Sequence, residues 1–359
     1  MATVYSSGKI FHFPGKLESM SRGEWSAPIH VRLKPTNRCN HNCSYCCFRN
    51  SNLLLSEKMD VRDEIPPEKM REVTRDLVEM NVRAVTLSGG GEPLCYPHVV
   101  ETVRALLDGG VKVAALTNGG LLRGEIAGVL ARRATWVRVS MDAADAELYA
   151  ATRDCPPSEF DRVCDNIRDF AKTPGRTCTL GLNFIVTREN SRRVPAFLRM
   201  AKELGVDHVK VSAVVVSTQP DENAAYVAPF FDAVKKQLAE CVAELAGGAF
   251  SVVDKFHMPE ASPESFRREY TECPMSQWLT VIAADQNVYT CQDKAYTSGG
   301  LLGSIRDRTF RDLWFSDELR GRLRELNPAL ECRHHCVAHG KNLMLHDYFE
   351  ADQEHLDFV

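Results

Sequence analysis

IHVRLKPTNRCNHNCSYC, residues 29–46, joins a strand-like run to three cysteines. In the run, Ile29, Val31 and Leu33 oppose His30, Arg32 and Lys34, the period of two that marks a strand with one apolar and one polar face. The same alternation recurs further along. Val137, Val139 and Met141 oppose Arg138, Ser140 and Asp142, and Val209 and Val211 oppose Lys210 and Ser212. Around these runs the pattern predicts strands near 29–34, 82–88, 111–117, 136–142, 179–186 and 207–215. Helices are predicted near 66–80, 98–108, 121–132, 159–172 and 192–204. Strands alternating with helices of this length form parallel βαβ units with right-handed crossovers. Parallel strands covered by helices on both faces usually read as continuous apolar runs. A polar face on several of them instead predicts a wet lumen, hence a partial (β/α)6 TIM-like barrel that holds a polar ligand. Solvated strand ends are the plainer alternative.

The 359 residues are 44% hydrophobic and 26% charged, with a formal charge of −4, the composition of an ordinary globular protein. No basic field points to nucleic acid or an anionic membrane. The N-terminus lacks the apolar run of a secretory signal, and no segment approaches a membrane span, so a cytoplasmic protein is expected. Thirteen cysteines are many for such a chain, and in a reducing compartment clustered cysteines bind metal or react rather than pair. They cluster near residue 40 and after residue 270.

The expected organisation is an N-terminal extension (1–28), the (β/α)6 core (29–216), a helical connection (217–270), a small α+β cysteine-bearing module (271–346) and a tail (347–359). The connection begins with a long helix, 222–246, and continues through Pro259 and Pro263. The module contains a hairpin at 280–291, a helix near 309–326 and a short helix after Cys336.

Cys39, Cys43 and Cys46 form a C-x3-C-x2-C run directly after the first strand. Three thiolates on one loop suit three irons of a [4Fe–4S] cluster and leave the fourth iron open. Structural zinc would need a fourth ligand, for which His41 and Cys47 lie awkwardly close in sequence. With aromatic Tyr45 before the last cysteine, the run resembles the CxxxCxΦC signature of the radical S-adenosylmethionine (SAM) enzymes. Gly89-Gly90-Gly91-Glu92-Pro93, after the second strand, resembles that family's second element, the GGEP-type loop. Glycines there let backbone carbonyls approach an ammonium at the carboxyl end of the barrel.

The resemblance implies that these loops hold a [4Fe–4S] cluster and SAM, that Ser140 and Asp142 meet the SAM ribose, and that Gly181 and Asn183 pack near the adenine. It also implies a flavodoxin- or ferredoxin-type electron donor. Cys273, Cys291, Cys332 and Cys336 supply a complete ligand set for a second cluster, and zinc is the rival occupant. Their arrangement resembles the twitch module, a shortened SPASM extension. Cys95, three residues past Glu92, is the candidate hydrogen-atom donor, and Cys155, Cys164, Cys178 and Cys241 read as buried apolar residues.

The expected activity is hydrogen abstraction from a polar small molecule, a sugar, aminocyclitol or nucleotide, with Lys210, Arg138, Ser212 and Asn183 positioning it or taking its proton. Two-electron oxidation assisted by the auxiliary cluster leads. Redox-neutral epimerisation with a cysteine donor comes next. Peptide maturation ranks third because only 28 residues precede the first strand. A non-catalytic metal-binding protein is the remaining alternative.

Overall fold

The computed structural model describes residues 6–49, 53, 57–245, 250–258 and 267–355. After α1 (Pro14–Ser21) the chain runs through β1 (His30–Leu33), α2 (Pro67–Glu79), β2 (Ala84–Leu87), α3 (Val99–Asp108), β3 (Lys112–Thr117), α4 (Gly124–Arg133) and β4 (Trp136–Ser140). It continues with α5 (Ala146–Arg153), α6 (Ser158–Ala171), β5 (Thr179–Val186), α7 (Val194–Glu203), β6 (His208–Ala213), α8 (Pro220–Val227), α9 (Phe231–Leu245) and β7 (Ser251–Lys255). The last part holds β8 (Leu279–Ile282), β9 (Asn287–Tyr289), β10 (Leu301–Ser304), α10 (Phe310–Trp314), α11 (Asp317–Glu325), α12 (Pro328–Glu331) and α13 (His339–Glu350).

These strands make one sheet in the order β10-β9-β8-β1-β2-β3-β4-β5-β6-β7. Pairing is parallel from β1 through β7, and β8 also runs parallel to β1. The architecture is the expected α/β barrel-like core with a C-terminal extension. The alternation has the expected physical form. Val31, Leu33, Val137, Val139, Val209 and Val211 are 0% exposed, whereas Arg32, Arg138, Ser140, Asn183, Lys210 and Ser212 on the other face keep partial exposure. The apolar face takes the helices, where Phe184 of β5 stacks on Phe197 of α7 with ring centroids 4.2 Å apart. On the polar face these side chains keep partial exposure, while Lys34 and Thr86 of the same face are buried.

Several details depart from the sequence reading. The stretch read as a helical connection, 217–270, contains β7, which pairs with β6. Its five residues are too short a run to stand out beside a long helix. The helix expected over 222–246 is two helices separated by a 3-10 turn at Ala228–Phe230, where Pro229 lacks an amide hydrogen and crowds the preceding turn. The helix expected near 309–326 breaks at Phe315, and Ser316 restarts it by accepting the Leu319 amide. The 280–291 hairpin forms as β8 and β9, yet β8 joins the barrel sheet at β1 instead of building a sheet of its own. The extension 1–28 contains α1, and the Lys16 ammonium ties it to Ser26 and Ala27. The tail read at 347–359 begins inside α13. Pro259 and Pro263 lie outside the described residues.

Candidate functional site

Cys39, Cys43 and Cys46 sit on the loop after β1, all partly exposed and none in a disulfide. The loop is held from both sides. Its start is clamped by the glycine loop after β2, where the Glu92 amide donates to the Arg38 carbonyl at 2.9 Å. A Cβ on Gly91 would lie 2.1 Å from that same carbonyl and 2.4 Å from the Asn37 carbonyl, so only glycine permits this approach. Its far side rests on α5. The Asn42 and Ser44 amides donate to the Arg153 and Thr152 carbonyls, and the Arg153 guanidinium reaches Cys43 Sγ at 3.1 Å.

Arg153 is the residue that sequence reading missed, because α5 carries no strong pattern and nothing in its spacing marks a ligand. It is nearly inaccessible and pairs with the equally buried Asp142 at 2.5 Å. Asp142 was expected at the SAM ribose. In the structure its carboxylate accepts from Arg153, from the Tyr45 hydroxyl and from the Ile185 amide, so all its charge is answered within the protein. It also adopts a left-handed φ of 59°. Burial opposes the charge on Arg153, but Tyr45, Cys43, Asp142 and Tyr149 more than offset it and hold its pKa well above the ordinary value. Tyr45 therefore braces Asp142 from the cysteine loop.

Glu92 is 2% exposed and accepts from the Leu94 amide (3.0 Å), the Thr117 hydroxyl (2.7 Å) and the Asn118 amide (2.7 Å). It thereby locks the glycine loop to the end of β3. Pro93 starts the 3-10 turn that ends at Cys95. The Gly89 carbonyl accepts from the Lys34 ammonium at 3.2 Å, a second contact that sequence reading did not foresee. Lys34 is fully buried, lies 3.9 Å over the Phe48 ring, and is pushed down by burial to a pKa of about 7. The Cys95 thiol faces Asn40 of the cysteine loop at 3.8 Å. His41 turns away to bond Glu159 at 3.1 Å, and burial lowers its pKa to about 4.

In the lumen, register places Ser140 beside Asn183 and Asn183 beside Lys210. Asn183 Oδ1, Arg32 Nε and Ser88 Oγ are buried without a hydrogen-bond partner, a cost that a bound polar group would remove. Gly181 lacks a Cβ where the His208 ring stands, 2.4 Å from the position that atom would take.

Cys273, Cys291, Cys332 and Cys336 all line one cavity, together with Arg268 and Asn342. Asn342 accepts the Met275 amide at 2.9 Å and donates to Cys273 Sγ at 3.4 Å. Thr290 Oγ1 and Gln292 Oε1, flanking Cys291, are buried and unbonded. Burial pushes the Cys273 thiol up to about 12, a penalty on the thiolate that a metal centre would repay. The charge of Asp293 acts on Arg32, Lys34 and Cys47 on one side and on Cys291 and Cys336 on the other. It marks the ground between the two cysteine sets. Among the described residues no trio of His, Cys, Asp or Glu closes around a single metal ion. Both sets offer what an iron–sulfur cube needs: thiols with polar donors beside them.

The profile of the Radical SAM superfamily matches residues 33–201. The AdoMet-dependent heme synthase of Methanosarcina barkeri is 26% identical over 317 residues, 84% of this chain and 86% of that protein. The PqqA peptide cyclase of Xanthomonas campestris is 25% identical over 311 residues, 83% of this chain and 76% of its own. In fold, Streptococcus suis SuiB bound to precursor peptide SuiA superimposes with a TM-score of 0.63 at 16% identity, covering 93% of this chain and 78% of SuiB.

Proposed function

We propose that the chain is a radical SAM enzyme, a reading supported by the match of residues 33–201 to the Radical SAM superfamily, and that it oxidises a polar small molecule by two electrons with help from a second [4Fe–4S] cluster. The observation that carries this reading is the convergence of Cys273, Cys291, Cys332 and Cys336 on one cavity, which the β8–β9 hairpin brings up against β1. When bound, the first cluster and SAM supply a 5′-deoxyadenosyl radical and methionine by reductive cleavage.

The protein's own residues hold, orient and exclude. Cys39, Cys43 and Cys46 are the ligands of the first cluster, with the Arg153 guanidinium against Cys43. Gly89, Gly90 and Gly91 shape the SAM loop, while Glu92, Pro93 and Tyr45 fix it and the cysteine loop in place. Ser140 and Asn183 offer polar contacts from the lumen wall, and Asp142 positions the cofactor side through Tyr45 and Arg153. Arg138 orients the substrate. Lys210 takes its proton: burial lowers that amine to a pKa of about 8, near the range in which a side chain both accepts and returns protons. Electrons enter from a flavodoxin- or ferredoxin-type donor.

Peptide maturation is the second reading, favoured by the similarity to the PqqA peptide cyclase over most of the chain. Cys95 is the donor thiol for a redox-neutral outcome. The test is anaerobic incubation of reconstituted protein with SAM and dithionite, which is expected to yield 5′-deoxyadenosine and methionine. No 5′-deoxyadenosine under any reducing condition removes the radical reading. Two SAM-derived outcomes then divide the rest: deuterium gained by product from heavy water marks a redox-neutral reaction, and its absence an oxidation.

A further inference from the structure

The thiols of the cysteine loop meet unlike neighbours. Cys39 Sγ faces the neutral side-chain amide of Asn118 at 4.0 Å, whereas Cys43 Sγ accepts from Arg153 Nη1 at 3.1 Å. That guanidinium is fixed by several partners. Its Nη2 donates to Asp142 at 2.5 Å, and its carbon lies 5.6 Å over the Tyr45 ring and 5.7 Å over the Tyr149 ring. The Arg153 carbonyl, at the end of α5, accepts the Asn42 amide, so backbone and side chain of one residue meet the same loop. Arg49 also acts on this loop, but it is exposed, where water and salt screen its charge.

A [4Fe–4S] cluster gains one negative charge on reduction, and the net charge and hydrogen bonds around its sulfurs set the potential at which this happens. A buried cation is weakly screened, so it favours the reduced state more than a surface charge does. The Asp142 carboxylate, paired with the same guanidinium, opposes that effect. We infer that Arg153 raises the reduction potential of the first cluster through Cys43, easing electron uptake from an external donor, and that Asp142 trims this effect while fixing the guanidinium in place. Arg153 is a positioning and tuning residue, since it acts through a ligand of the cluster. The inference rests on the reading of Cys39, Cys43 and Cys46 as a cluster site and adds the residue that governs its electron uptake.

The test is a potentiometric EPR titration of anaerobically reconstituted protein, following the iron–sulfur signal that a Cys39/Cys43/Cys46→Ala variant lacks. Arg153→Gln removes the charge and is expected to lower the reduction constant about tenfold, the scale of one charge-assisted hydrogen bond, which for one electron is about 59 mV. Arg153→Lys keeps the charge and is expected to recover most of that shift. Asp142→Asn removes the opposing charge and is expected to raise the potential. The opposite signs separate tuning from loosening of the loop, which would move both variants the same way. An unchanged potential in Arg153→Gln, or a fall in Asp142→Asn, overturns the inference. Pulsed EPR of wild type carrying nitrogen-15 in its arginine guanidinium groups reads the contact with no variant to fold: nitrogen coupling to the same signal is expected, and its absence overturns the inference. A wild type without that signal sinks the cluster reading and the inference with it. The signal present, with its potential indifferent to Arg153, sinks the inference alone.

Discussion

Removing the Arg153 side chain probes the site where the cysteine loop meets the barrel. Arg153 and Asp142 side chains are 4% and 1% exposed, so Arg153→Ala leaves a carboxylate in the interior with only the Tyr45 hydroxyl and the Ile185 amide for company. Breaking a buried pair from one side costs roughly 3–5 kcal/mol, because the remaining charge stays desolvated. That is a large part of the about 5–15 kcal/mol by which folded domains are stable. The variant also loses the donor at Cys43, 3.1 Å away in the wild type. Denaturant unfolding of the cluster-free protein, followed by circular dichroism, measures the first effect apart from the second. Removing both partners, as Arg153→Leu with Asp142→Leu, is expected to cost less than the sum of the single changes, by about 0.5–3 kcal/mol of coupling. A loss under about 1 kcal/mol for Arg153→Ala, or strict additivity in the double variant, would refute the placement of this pair as a buried, mutually dependent unit.

Three further outcomes follow from particular contacts. Gly91→Ala pushes a methyl group into the Arg38 and Asn37 carbonyls, so iron analysis is expected to show loss at the first cysteine set while the second remains loaded. Cys332→Ser with Cys336→Ser is expected to reverse that pattern, since both line the C-terminal cavity, and retention of full iron would contradict it. Lys210 gives a pH signature. Its pKa falls from 10.5 unfolded to about 8 folded, so its charge destabilises the fold below about pH 8 and this penalty fades as pH rises toward 10.5. Lys210→Met is therefore expected to stabilise the cluster-free protein by about 1–2 kcal/mol at pH 7, after discounting for solvent screening, and by little at pH 10. A gain that is independent of pH would show that Lys210 carries no such penalty.

The barrel was legible because its strands declare both faces. Burial at 0% for Val137 and Val139 beside the open Arg138 and Ser140 is the structural form of an alternation visible in the sequence. The first cysteine set and the glycine loop were legible because each lies within a few consecutive residues, Cys39–Cys46 and Gly89–Pro93. What sequence could not show are contacts made across the fold. Arg153 meets Cys43 from 110 residues away, on a helix without a clear periodic pattern. Lys34 reaches the Gly89 carbonyl from 55 residues away, although its place on the polar face of β1 was plain. Asp142 looked like a ligand-facing strand end and is instead saturated by neighbours brought in from the cysteine loop, α5 and β5. The strand β7 stayed hidden because its five residues, four half-buried and Lys255 exposed, carry neither an apolar run nor a clean alternation.

Iron and acid-labile sulfide per chain, measured on anaerobically reconstituted protein, test the central claim of two separate cluster sites most directly. Wild type is expected to hold about eight irons, and a Cys39/Cys43/Cys46→Ala triple variant about four, with the remainder held by the C-terminal set. Wild type with about four irons and the variant with almost none, zinc appearing in their place, would contradict it.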